Sequence, residues 1–197
     1  MIQPYDRKNQ RKDYMMSRIP ALNPDQAIGQ AQRLLQDVES NLGYVPNIMG
    51  TMANSPAVLE GYLDFSHALS QGSLSAKFRE QIALAVSEVN DSQYDRAAHA
   101  ALGRSLGLSE EAIEDSRKAE STDPKEATVL GIVHKIVEKR GWVGDEEVAK
   151  LRKIGFSQGE IVELIANISL TLFTNYFNHI AETEIDFPAI AELEAHV

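Results

Sequence analysis

The chain contains no cysteine. That excludes disulfides, thiolate metal sites, cysteine nucleophiles and dithiol redox chemistry. Basic residues are scarce: 19 Lys and Arg stand against 29 Asp and Glu, giving a formal net charge of −10. A global electrostatic case for nucleic acid binding fails on that balance. Long apolar runs are missing as well. The most apolar stretch, 161–173, is broken by Glu163, Asn167 and Ser169, whereas a membrane span needs about 20 apolar residues. Residues 1–20 carry Arg7, Lys8, Arg11, Lys12 and Arg18 against Asp6 and Asp13, without an apolar h-region. No secretory leader is expected, and the location expected is cytoplasmic. Residues 1–20 read as a polar, mildly basic arm, either disordered or laid across a neighbouring subunit.

What remains is ordinary globular material, with 43% hydrophobic and 24% charged residues over 197 positions. That is enough for one large domain or two small ones sharing a core. The punctuation is helical. Asn23-Pro24 predicts a helix over about 25–40 closed by Gly43, and Ser55-Pro56 opens one to about 70. Ser75 caps about 76–90, a further helix runs over 92–106 to Gly107, and Ser109 starts another to about 119. Asp123-Pro124-Lys125-Glu126 opens a helix to about 140, residues 145–153 form a short one, and Ser157 with Glu160 caps 158–182. Alternating β-branched runs and Asn-Gly or Asp-Gly hairpins are absent. The expectation is an all-α domain over 21–190 with about eight helices.

Chemistry is densest between Arg79 and Gly107. On a helix over 92–106, Ser92, Asp95, His99, Leu102 and Leu106 share one line. Asp95 and His99 stand at i and i+4 and can pair. A plainer reading makes Ser92 to Asp95 a capping box, with Asp91 a rival cap. Glu80 falls nearly opposite the apolar stripe Phe78, Ile82, Ala85, Val86 and Val89, which favours a solvated carboxylate. A weak repeat at an offset of 80 aligns Glu80 with Glu160, Leu84 with Leu164 and His99 with His179, as if 156–186 duplicated 76–106.

Arg79-Glu80, Ile82 to Val86, Asn90, Tyr94, Ala98-His99 and Leu106 to Ser109 together resemble the alkylhydroperoxidase D-like, or carboxymuconolactone decarboxylase, family. Leu42 to Asn47, Asn54-Ser55-Pro56, Gly61-Tyr62, Asn175 to Ala181 and Thr183 to Pro188 resemble its peroxidase-related branch. The likeness runs over about 17–190. The family motif is Glu, eleven residues, Cys, two residues, Cys, three residues, His. Carried over, Glu80 and His99 match, and the two cysteines are replaced by Ser92 and Asp95. The resemblance implies the helical fold and a catalytic set of Glu80, Ser92, Asp95 and His99, in which glutamate and histidine relay protons. The residues deny the redox step, because neither a serine nor an aspartate cycles through sulfenate and disulfide.

Three functions stay open. One is a redox-dead binding or assembly protein. Another is a non-redox enzyme using His99 with Glu80 or Asp95, on a small carboxylated or lactone-type substrate. The last is a metal site at Glu80, Asp95 and His99; a Ser92–His99–Glu80 nucleophile lacks any recognisable oxyanion hole. No cofactor is expected. His67 and His134 read as structural, His179 with Glu160 as a pseudo-equivalent pair, His196 as terminal, and Trp142 as a packing anchor. The apolar residues Ile161, Val162, Leu164, Ile165, Ile168, Leu170 and Leu172 exceed what one stripe needs. A homo-oligomer is therefore expected, with a small-molecule ligand and no nucleic acid or membrane partner.

Overall fold

The computed structural model describes residues 17–188, 190 and 193. Among them are nine α-helices and no strand: α1 (Gly29–Leu42), α2 (Asn47–Met52), α3 (Pro56–Ser70), α4 (Ala76–Val89), α5 (Gln93–Ser105), α6 (Glu110–Arg117), α7 (Pro124–Glu138), α8 (Asp145–Lys153) and α9 (Gln158–Ala181). The expected all-α architecture is found. Most of the anticipated arm, residues 1–16, lies outside the described residues, as does His196.

The local signals act largely as their chemistry dictates. Ser75, Ser109, Asp123 and Ser157 each accept a backbone N–H in the first turn of the helix they precede. Ser157 and Glu160 form a complete capping box. Gly43 ends α1 in the left-handed region, at φ 82°. Two readings differ. Asn23-Pro24 starts only a 3-10 turn, Pro24–Gln26, and α1 begins anew at Gly29. The six-residue α2 was not anticipated, since Pro46 leaves it without a side-chain cap.

Helix α4 is the centre of the molecule and packs against α5, α6, α7 and α9. Phe78, Ile82 and Val86 meet Val129 and Val133 of α7 and Leu164 and Ile168 of α9. Leu84 meets Ala100 of α5 and Ile113 of α6. Each large apolar side chain so buried contributes about 1.5–3 kcal/mol. A helix enclosed on several sides has no single outward face, so Gln81 and Ser87 are buried too. A second cluster joins Leu35, Met52 and Leu59 to Tyr94 of α5. Across it runs the segment after α9. Asp186 Oδ2 accepts from Asn47 N at 2.7 Å, and Phe187 stacks edge-on against Tyr94.

A buried ion network ties three helices together. Glu88 of α4 accepts from Arg96 of α5 at 3.0 Å through one oxygen and from Arg117 of α6 at 2.7 Å through the other. Both arginine side chains are 4% exposed. Such pairs fix geometry because a lost partner strands a buried charge.

Several expectations are corrected. Frame 156–186 holds one continuous helix, not a second hairpin. Glu160 and His179 therefore lie near its opposite ends, about 28 Å apart at 1.5 Å per residue. Trp142 is no packing anchor: it is 87% exposed in the turn after α7. Glu147, in the first turn of α8, is buried, pairing with Lys135 and accepting from Gly144 N.

Candidate active site

The α4–α5 turn sets up the site. Asp91 takes a left-handed backbone at φ 56°, and Ser92 N donates to Ser87 O at 2.9 Å. This reverses the chain tightly, so the two helices run antiparallel and α5 starts against the C-terminal end of α4. Asn175 of α9 fastens that end. Its Nδ2 donates to Ser87 Oγ at 3.1 Å, and its Oδ1 accepts from Asn90 at 2.9 Å.

Glu80 and His99 then meet across the hairpin. His99 Nδ1 and Glu80 Oε2 are 2.7 Å apart, with side chains 21% and 17% exposed. The solvated reading of Glu80 is overturned, because α5 packs on the face that the apolar stripe of α4 leaves over. Burial works against a charged imidazole. The charge and hydrogen bond of Glu80, helped by the charge of Asp95, outweigh it and raise the His99 pKa. The hydrogen bond engages Nδ1 and leaves Nε2 outside the pair.

Ser92 and Asp95 form a separate, deeper pair. Ser92 Oγ donates to Asp95 Oδ2 at 2.5 Å, and Asn178 Nδ2 donates to the same oxygen at 2.9 Å. All three residues are buried. Ser92 is the N-cap residue of α5 by position, yet its hydroxyl makes no cap bond; it is turned to the carboxylate instead. Asp91 does not serve either, since its carboxylate pairs with Arg96. Asp95 likewise does not pair with His99, because Oδ2 is committed to Ser92 and Asn178. The Ser92–His99–Glu80 nucleophile is not assembled. Nor do Glu80, Asp95 and His99 converge as ligands: no group of three such residues able to hold a metal ion exists among the described residues.

Two residues near the site were not singled out in the sequence as part of it. Asn178 holds Asp95 from α9. Tyr62 of α3 has its pKa pushed up to about 12 by burial and by the charges of Asp95 and Glu80. Its ring stands 6.4 Å from Phe173, and Phe173 6.1 Å from Phe177. Neither was recoverable from spacing, because each reaches the site from another helix. The other histidines stay apart. His179 Nε2 lies 3.3 Å from Asp91 O, His67 is exposed, and burial lowers the pKa of His134.

Residues 56–135, spanning α3 to most of α7, match the carboxymuconolactone decarboxylase family. The chain is similar in structure to an uncharacterised peroxidase-related protein with an alkylhydroperoxidase D core from Ralstonia eutropha JMP134. The TM-score is 0.78 at 20% identity, over 86% of this chain and 92% of that one. A second uncharacterised peroxidase-related protein, from Silicibacter sp. TM1040, gives a TM-score of 0.74 at 22% identity, over 84% and 91%. The debrominase Bmp8 gives 0.75 at 17%, over 88% and 94%. No curated protein matches the chain. These likenesses establish the alkylhydroperoxidase D-like fold. One scaffold serves several chemistries, so function has to be argued from the site. No helix among the described residues is long and apolar enough to cross a membrane.

Proposed function

We propose that this carboxymuconolactone decarboxylase family chain lacks thiol peroxidase activity and uses Glu80 and His99 as an acid–base pair in a non-redox reaction. One observation carries the reading: the 2.7 Å contact between Glu80 Oε2 and His99 Nδ1. The redox half of the motif is replaced, while its proton-handling half is assembled. Dithiol reduction of a hydroperoxide takes two electrons from a thiolate pair, and Ser92 and Asp95 supply none.

In the mechanism this supports, Glu80 accepts from Nδ1–H and orients the ring. Nε2 takes a proton from a bound small molecule, and Glu80 stabilises the imidazolium that forms. The same nitrogen then returns the proton to another atom of the substrate. The raised pKa makes His99 a stronger base and keeps it protonated to higher pH than a free histidine. Ser92 and Asn178 hold Asp95 beneath the pair, adding negative potential.

The active unit is proposed to be a homo-oligomer. Val162, Ile165, Phe173, Tyr176 and Ile180 of α9 are exposed, Val162 and Ile180 to 65% each. A contiguous apolar helix face of this kind is characteristic of interaction surfaces.

The direct test is hydroperoxide turnover with a dithiol reductant. None above background is expected. Substantial turnover that survives removal of trace metal and haem contradicts the reading.

A further inference from the structure

Helix α9 has two working faces. Its inner face carries Asn175 and Asn178, which hold the α4–α5 reversal and Asp95. Its outer face is open: Val162, Ile165, Ser169, Phe173, Tyr176 and Ile180 are all exposed. At about 100° per residue these six fall within about 80° of arc, on a stripe about 27 Å long. No charge interrupts it. The two carboxylates of α9 are turned elsewhere: Glu160 accepts from Ser157 N, and Glu163 from Ser73 N and Leu74 N. His179 lies against Asp91 O. Covering the stripe therefore strands no charge. In a chain of net charge −10, two copies repel over most of their surfaces, and this uncharged stripe is where they can meet.

The stripe also reads alike from both ends. Place a two-fold axis beside position 171. Val162 then faces Ile180 of a second copy, Ile165 faces Tyr176, and Ser169, the small residue, faces the large Phe173. A two-fold contact has to be self-complementary in this way. A parallel pairing would set Ser169 on Ser169 and Phe173 on Phe173, leaving a gap at one level and crowding at the next. The area suffices as well. Val58, Tyr62 and Phe65 share one stripe of α3, and the Tyr62 ring packs 6.4 Å from Phe173, so this ridge borders the α9 stripe. Val58 and Phe65 are exposed like the five apolar residues of α9. At roughly 100 Å² apiece these side chains approach the about 800 Å² that a standard interface buries on each partner.

We propose that the outer face of α9 is covered by α9 of a second copy, packed antiparallel about a two-fold axis between Ser169 and Phe173. This rests on the homo-oligomer reading above and gives it a partner face and a register. Each α9 is then held from both sides, by the α4–α5 hairpin within and by its twin without.

Cross-linking tests the register, and the lack of cysteine means that every introduced thiol is the only one of its kind. The full chain carrying Ser169→Cys, Val162→Cys, Ile180→Cys, or the last two together is treated with a short bismaleimide at micromolar concentration. About the axis, Ser169 lies about 6 Å along the helix from its twin, whereas Val162 lies about 27 Å from its own. Ser169→Cys is expected to give a covalent dimer. Val162→Cys and Ile180→Cys alone should give several-fold less, and the two in one chain should restore it. A thermal melt of each variant confirms that it is folded. Efficient linking by Val162→Cys alone overturns the antiparallel pairing. So does a wild-type oligomer in which neither Ser169→Cys nor the double variant links, an outcome that leaves the homo-oligomer reading standing. A wild-type monomer by light scattering removes both, and dimerisation of that monomer on deleting residues 1–16 would make those residues the cover instead.

Discussion

Glu80 and His99, nineteen positions apart and on different helices, share a hydrogen bond of 2.7 Å that neither helix could form alone. Glu80 lies on the central helix and His99 nearly two turns inside the next. The left-handed Asp91 and the Asn175 clasp bring the two helices into register. The proton chemistry of the site therefore depends on the reversal at 90–92.

Replacing Glu80 by Gln removes the charge that raises the His99 pKa. The expected result is a fall in that pKa, read by NMR titration of the imidazole. A pKa equal in wild type and variant would contradict the pairing.

The same pair makes stability depend on pH. A raised folded-state pKa means that its contribution is complete below about pH 6.5, the free histidine value. That contribution is lost as pH rises through the folded value. A charge-assisted hydrogen bond of this kind is worth about 1.5–3 kcal/mol. Urea unfolding at low and high pH should show wild type losing more stability than Glu80→Gln across that window. Parallel curves for the two proteins would count against the pair.

Glu88 is expected to be the costliest single position on the α4 surface. Glu88→Ala takes one carboxylate partner from each of two buried guanidinium groups that now share its oxygens. Loss of one partner from a buried pair costs about 3–5 kcal/mol. Chemical denaturation that finds less than about 1 kcal/mol would mean that the network is replaceable.

The exposed apolar face of α9 predicts self-association. Light scattering at micromolar protein is expected to show an oligomer, and Ile165→Lys with Ile180→Lys to reduce it to a monomer. A wild-type monomer would contradict the proposal.

Much of this fold was legible before any coordinates, and the reasons are local. A serine or aspartate before a helix, a proline in its first turn and a glycine after its last act through atoms a few residues away. Ser75, Asp123, Ser157 and Gly43 were therefore readable. Glu80 was readable only through the family resemblance, because its partner lies on the next helix and its own wheel places it opposite the apolar stripe. Ser92 misled for a related reason. Its spacing to Asp95 is that of a cap, but a buried carboxylate competes for the hydroxyl and wins, with Asn178 as second donor. Trp142 looked buried because tryptophan usually is, whereas the turn after α7 holds it out.

The central claim is that Ser92 and Asp95 occupy the thiol positions of a pocket that is otherwise built. Their side chains already point at each other, 2.5 Å apart. The decisive measurement is hydroperoxide reduction by this chain beside a variant carrying Ser92→Cys and Asp95→Cys, with a dithiol reductant in excess. The account predicts background rates for the chain and measurable turnover for the double variant, lost again on adding His99→Gln. Turnover by the unaltered chain, or none by a folded double variant, would contradict it.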